Sequence, residues 1–416
     1  MLFRSRVLDE HAEWLFEHGT TQNVANSIWA CARLGVKAQT LFRLLDERAE
    51  WLVEHGISHE IVNCVWACGT LGIKSPNLFR LFDERADSLL NDCNPHDLVE
   101  SVSACGILGV DSPKLFRLLD ERSEWLLEKE TLHGISKCAW ACGKLGIESP
   151  SLFRLIDEHV ATLCEKRPSQ DIVSCIWACG KLGIKTPNLF RYVDEHAEVL
   201  FDNGSLEALA NSAWALGQLG IESPNLFRFM DERAGWLVEE GTPQNVANYL
   251  WACGKLSVKS LNLFGALDER AEWLFENGTT QDIADCVWAC GTLGIESPNL
   301  VRLLNEHAER LVDSGTSHQI ANYTLALGLL GSHSPPFFSA LERFLSKFLV
   351  DANLQELCNV CYAMTVLGVD GSNQREMLEK LWNALLERQV GTLSIEQLSK
   401  ILYIQTFASA FDIQLA

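Results

Sequence analysis

Residues 279–294 read TTQDIADCVWACGTLG, and this pattern returns every 37 residues. Its central Trp288 has counterparts at Trp29, Trp66, Trp140, Trp177, Trp214 and Trp251, while Ser103, Leu325 and Tyr362 fill the remaining registers. Ten registers without an insertion identify an internal repeat, and an eleventh, weaker copy centres on Tyr403 after a four-residue slip. A fixed period of this length describes a supersecondary unit that cannot bury its apolar face alone, so stacked neighbours must supply the core.

Each unit holds two predicted helices. Helix A spans the quoted pattern and ends at a glycine (Gly35, Gly72, Gly109, Gly146, Gly183 or Gly220) suited to a left-handed C-cap. Helix B, typified by SPNLFRLFDERADSLL at residues 75–90, is read as one continuous helix. Its Ser is expected to accept an orphan N–H as N-cap, and its Pro suits the first helical position. Gly56, Gly204, Gly241, Gly278 and Gly315 are expected to end helix B in the left-handed conformation too. Short loops make successive helices antiparallel neighbours. The fold expected is all-α, a right-handed superhelical solenoid of about ten two-helix repeats. Residues 1–19 form an N-terminal half repeat, 20–331 regular repeats, and 332–416 degenerate repeats and a cap ending in TFASAFDIQLA.

The chain has 416 residues, 47% hydrophobic and 21% charged, with a net charge of -21. That composition belongs to a folded chain, and no apolar run reaches the roughly 18 residues of a membrane helix. The acidic balance argues against a general basic surface, though not against a local stripe. Fifteen cysteines fall largely on repeat positions and read as reduced thiols, so the Asn-x-Ser/Thr matches at Asn203, Asn277 and Asn322 are expected to carry no glycan. Residues 1–19 enter a repeat at once, with neither a signal peptide nor an Arg- and Ser-rich transit segment visible.

Three patterns invite a chemical reading. Cys64/Cys68, Cys138/Cys142, Cys175/Cys179 and Cys286/Cys290 share helix faces at i, i+4, as the start of a zinc site would. Because Leu216, Leu327 and Met364 replace the second cysteine, core packing is the better reading and no metal is expected. The repeated Asp-Glu-Arg/His of helix B carries paired carboxylates. An active site is usually built once, and Arg43–Glu47, Arg80–Glu84, Arg117–Glu121 and Arg228–Glu232 fit intrahelical ion pairs on a solvated face, each worth about 0.3 kcal/mol. The tryptophans could form a stacking platform for bases, but their place in the apolar pattern reads as core. No P-loop, GxSxG, HExxH or dinucleotide fingerprint occurs, and neither an enzyme, a cofactor nor a small-molecule substrate is expected.

The informative feature is the polar side of helix A. Counted from the Trp, positions −6, −3 and +4 project together, with an unvarying Ala at +1 between them. Candidates for binding are Asn23 and Asn245 at −6; Asn26, Asn63, Lys137, Asn211, Asn248 and Asn322 at −3; and Arg33, Lys144, Lys181 and Lys255 at +4. One set of hydrogen-bonding side chains per unit is what reading a single strand base by base requires, with Asn on base edges and cations on phosphates. Drift on a solvent face is the alternative.

TPQNVANYLWA at residues 242–252 and TQNVANSIWACARLG at 21–35 resemble the helix A signature of octotricopeptide-type repeats, and the period looks closer still to heptatricopeptide repeats. The superfamily includes helical-repeat subunits resembling those of the mitochondrial RNA-editing substrate-binding complex. The resemblance implies a single-stranded RNA-binding protein in organellar RNA processing, stability or translation, in a mitochondrion or plastid, otherwise the cytoplasm. It also implies that helix A lines the concave, RNA-facing surface. The alternative function is a protein-interaction scaffold of armadillo or HEAT type.

Overall fold

The computed structural model describes residues 9–91, 93–164, 170–201, 205–368, 372–388 and 393–410. Residues 1–8, Asn203, Gly204 and the tail from 411 lie outside the described residues. The described residues hold thirty helices and no strand, packed against their neighbours in sequence order as an α-solenoid. The chain divides into two compact units, residues 1–203 and 204–416. In the first, the A helices are Thr21–Arg33, Ser58–Leu71, Pro95–Leu108, Leu132–Leu145 and Gln170–Leu182; in the second they are Leu206–Leu219, Pro243–Leu256, Thr280–Leu293, Ser317–Leu329, Leu354–Leu367 and Ile395–Ala410.

Within each unit the A helices lie side by side, each packed on the one before and the one after. What lets them approach is the small residue at +3. A methyl added at Gly69 would lie 2.6 Å from the Ala104 Cβ, at Gly106 2.7 Å from the Ala141 Cβ, and at Gly291 2.5 Å from the Ala326 Cα. The unvarying Ala at +1 is thus not part of the polar stripe. It is buried from Ala67 onward, and Ala104, Ala141, Ala178, Ala252, Ala289, Ala326 and Ala363 each sit on the preceding helix's Gly. The cysteines at −2 and +2 fill the space beside it, and burial pushes the Cys68 and Cys142 thiols up to about 12.

Helix B is not the single rod expected. In most units it breaks after Asp-Glu, as between Pro76–Glu84 and Ala86–Leu89, where Arg85 takes φ −109 and ψ 13. The pair Pro150–Cys164 runs unbroken. The break lets the first half pack on the second half of the preceding helix B, and the residue at the bend serves that contact. The Arg85 and Arg270 guanidinium groups donate to the Val53 and Val238 carbonyls at the end of the preceding unit's helix B, 3.3 and 3.1 Å away. Those carbonyls have no intrahelical partner. The Arg43–Glu47, Arg80–Glu84 and Arg117–Glu121 pairs form as expected at 2.7–2.8 Å.

The caps also differ from the expectation. Ser75, Ser112, Ser223 and Ser297 accept no capping hydrogen bond. Ser75 instead donates to Asp46 of the preceding unit at 2.8 Å, and the same carboxylate oxygen accepts the N–H groups of Asn77 at 2.8 Å and Leu78 at 3.4 Å. Asp83 holds Ser112, Lys114 and Leu115 identically, at 2.6, 3.0 and 3.3 Å. A carboxylate is the stronger acceptor, so the helix B start is capped by its neighbour and the Ser hydroxyl becomes a donor. The first residue of Asp-Glu-Arg is therefore an inter-repeat clamp, not a solvated carboxylate.

Glycines divide into two kinds. Gly72, Gly109, Gly146 and Gly220 end helix A at φ +65 to +70, as expected. Gly56, Gly241, Gly278 and Gly315 at the end of helix B are extended, with φ between −74 and −84, because the chain must run directly into the next N-cap. In one repeat Ser257 replaces the glycine and occupies the left-handed C-cap with φ 57.

A side chain in that conformation costs about 1 kcal/mol, so Ser257→Gly should raise the urea midpoint by a corresponding amount with no change in helix content. Asp83→Ala removes the shared cap and should cost about 1–2 kcal/mol, read by the same denaturation.

Candidate nucleic-acid interface

The expected core tryptophans are not core. Trp29 is 43% exposed, and Trp66, Trp140, Trp177, Trp214, Trp251 and Trp288 are half-buried. Close packing of Gly on Ala leaves no room for an indole between A helices, so each ring lies on the surface across the seam. A methyl added at Gly254 would lie 2.7 Å from the Trp288 Cζ3, and one at Gly106 3.0 Å from that of Trp140. The rings thus run along the same face as −3 and +4, and Trp214 and Trp251 stack at 6.5 Å between centroids, 25° from parallel.

The +4 cations stand over these rings. Arg33 lies 5.6 Å from the Trp29 centroid and Lys181 5.7 Å from that of Trp177, while Lys255 sits 5.4 Å from both Trp251 and Trp288. Four residues on a helix bring +4 above position 0, and the ring quadrupole attracts the charge. Lys144 is exposed at the same register.

At −3 the candidates differ in what they touch. Asn26 is exposed and Asn63 half-buried, both on an open groove of about 640 Å³ shared with Trp29, Trp66 and Arg33. Asn248 donates to Asn211 at 3.4 Å across one seam. Lys137 donates to Glu100, the −3 residue before it, at 2.8 Å. Asn322 is buried and bonded to His318. The second unit has its own groove of about 740 Å³, where Lys255, Trp288 and Tyr362 face Lys400 and Tyr403.

Position −6 has a structural task. The Asn23 Oδ1 accepts the Thr20 N–H at 3.0 Å and the Thr20 hydroxyl caps the Asn23 N–H in return; Thr242–Asn245 and Thr279–Asp282 repeat this box. The Thr-x-x-Asn/Asp spacing carried that signal in the sequence. Histidine at −7 was also legible by register: His59 meets Asp97 at 3.4 Å and His133 meets Asp171 at 2.9 Å, each the −6 residue of the next unit. No group of three metal-ligating side chains stands together among the described residues.

Asp285 occupies −3 where six other units carry Asn. Burial pushes its carboxyl up to about 6, against the opposing effect of the Gln281 hydrogen bond and His318. A carboxyl raised in the folded state destabilises once the unfolded chain ionises. The penalty is absent below about pH 4, grows with pH and is complete above about pH 6. Asp285→Asn should therefore stabilise the fold by about 1–2 kcal/mol at pH 7 and by nothing near pH 3.5, measured by denaturation at the two pH values.

Comparison with known families finds the RNA-editing substrate-binding complex 6 protein family matching twice, over residues 5–182 and 144–371. The two matches overlap by about one repeat, as expected where any run of units resembles another. No curated protein matches the chain. With the greater part of its length covered, and folded as an α-solenoid, the chain belongs to the RNA-editing substrate-binding complex 6 protein family.

Proposed function

We propose that the A-helix face binds single-stranded RNA, without catalysis, as part of an RNA-editing assembly in a mitochondrion or plastid. The observation that carries this reading is the row of half-exposed tryptophans, present in seven of ten repeats, with Arg33, Lys181 and Lys255 over the rings. Aromatic faces accept any base, and cations beside them meet the phosphates. Asn26, Asn63, Asn211 and Asn248 lie beside the rings, where an amide can pair with a base edge. The family adds an RNA-processing context.

A protein-scaffold role is the second reading, and a separate surface favours it. On the second halves of helix B in the first unit, Trp14 and Val199 are exposed at 60% and 62%. A protein partner on that face leaves the A-helix face open, so the two readings are compatible within one assembly.

The test is fluorescence anisotropy with a labelled single-stranded RNA of random sequence at about 50 and 200 mM salt. Saturable binding that weakens with salt is expected. Trp66→Ala should weaken it about 5- to 100-fold, and the Arg33→Gln, Lys181→Gln, Lys255→Gln variant should flatten the salt slope by about 2. Absence of binding at low salt sinks the RNA reading and leaves the scaffold.

A further inference from the structure

The tryptophan row has one break inside the first unit, and it is not an idle one. Ser103 stands where Trp66 and Trp140 stand in the flanking repeats. Helical side chains lean toward the N-terminus, so an indole at position 0 covers the turn that carries −3 and −4. At Ser103 that cover is gone, and the groove beside Trp66 extends to Asp97, Glu100 and Lys137. The same repeat carries Glu100 at −3, where six repeats carry Asn, and an apolar residue, the half-exposed Ile107, at +4.

Glu100 is only 8% exposed, yet its carboxylate borders the groove and takes the Lys137 ammonium at 2.8 Å. An ammonium beside a carboxylate offers one donor next to two acceptors. Guanine is the base whose Watson–Crick edge is the complement: O6 accepts, and N1–H and the N2 amino group donate side by side. Uracil alternates acceptor, donor, acceptor. Cytosine and adenine each offer an exocyclic donor next to an acceptor nitrogen, which engage one carboxylate oxygen and the ammonium but leave the second oxygen without a donor, one contact fewer than guanine.

We propose that the Ser103 register is a guanine-selective notch in an otherwise base-tolerant track, with Glu100 and Lys137 reading the Watson–Crick edge and the Trp66 ring stacking beside it. This rests on the RNA reading above. A carboxylate is an unfavourable neighbour for phosphate, so its presence on this face gains meaning if it meets donor groups of a base. The missing indole leaves the room for one.

The experiment measures the affinity of the full chain for labelled oligouridine and for the same strand carrying one central guanine, inosine or adenine. Guanine should tighten binding about tenfold, and inosine, which lacks the N2 amino group, and adenine, which offers a single donor, each by less. Glu100→Gln should abolish the guanine preference while leaving oligouridine affinity in place. Ser103→Trp restores the residue found in the neighbouring repeats. It should fill the notch, abolish the preference and hold or raise oligouridine affinity; circular dichroism checks that both variants fold. Oligouridine bound with no gain from guanine overturns the notch and leaves the RNA reading standing. A guanine preference that survives both substitutions in folded protein places the reading elsewhere and also overturns it. Failure of every strand to bind overturns both.

Discussion

The contact between Gly at +3 and Ala at +1 of the next repeat is the constraint on which the arrangement depends. It brings two helix backbones within reach of a single methyl, as where Gly106 meets Ala141. Nothing larger fits on either side of the seam, so every bulky residue of helix A is assigned to another face. The aliphatic residues at −5, −4 and −1 and the cysteines turn into the core, while the indole turns out across the seam. An indole is large enough to cover the close-packed Gly and still present a face to solvent. The half-exposure of the tryptophans is thus a consequence of tight packing beneath them.

The second layer is held differently. To the apolar packing of its buried side chains, helix B adds polar contacts at its ends. One carboxylate caps the next helix, and the arginine at the bend takes up the carbonyls left by the preceding one. Each unit therefore completes the hydrogen bonding of the units on either side. Removing a unit would orphan groups in two others, which is how nearest-neighbour coupling arises in a linear array. It also explains the fixed interval: an inserted residue between Asp46 and Ser75 would pull the clamp out of register.

The period, the hairpins and the left-handed glycines were legible because each depends on residues within one repeat. What was not legible depends on the neighbour. Ser75 followed by Pro76 has the local look of a self-contained cap, and only the position of Asp46 reveals that the hydroxyl donates. The tryptophan falls at the edge of the apolar arc, where a periodicity of 3.6 cannot tell the last core residue from the first surface one. Positions −6 and −3 share a face on a helical wheel, yet −6 lies in the first turn, where free N–H groups claim its oxygen. The close seam of Gly on Ala expels the ring, an effect that belongs to two repeats at once.

The net charge of -21 is a poor guide to the A-helix face for the same structural reason. Asp46, Asp83, Asp120 and Asp268 are committed to caps, and Glu47, Glu84 and Glu121 to arginines, all on helix B. A helix is about 10 Å across, and the screening length at physiological salt is about 8 Å. Charges on helix B are therefore largely screened from a strand lying on helix A, where the +4 positions carry Arg33, Lys144, Lys181 and Lys255. Four such cations spread over so many repeats provide little phosphate neutralisation. The free energy of the proposed complex must come chiefly from ring faces, and a track whose hold on RNA is stacking can afford a carboxylate where one base edge is to be read.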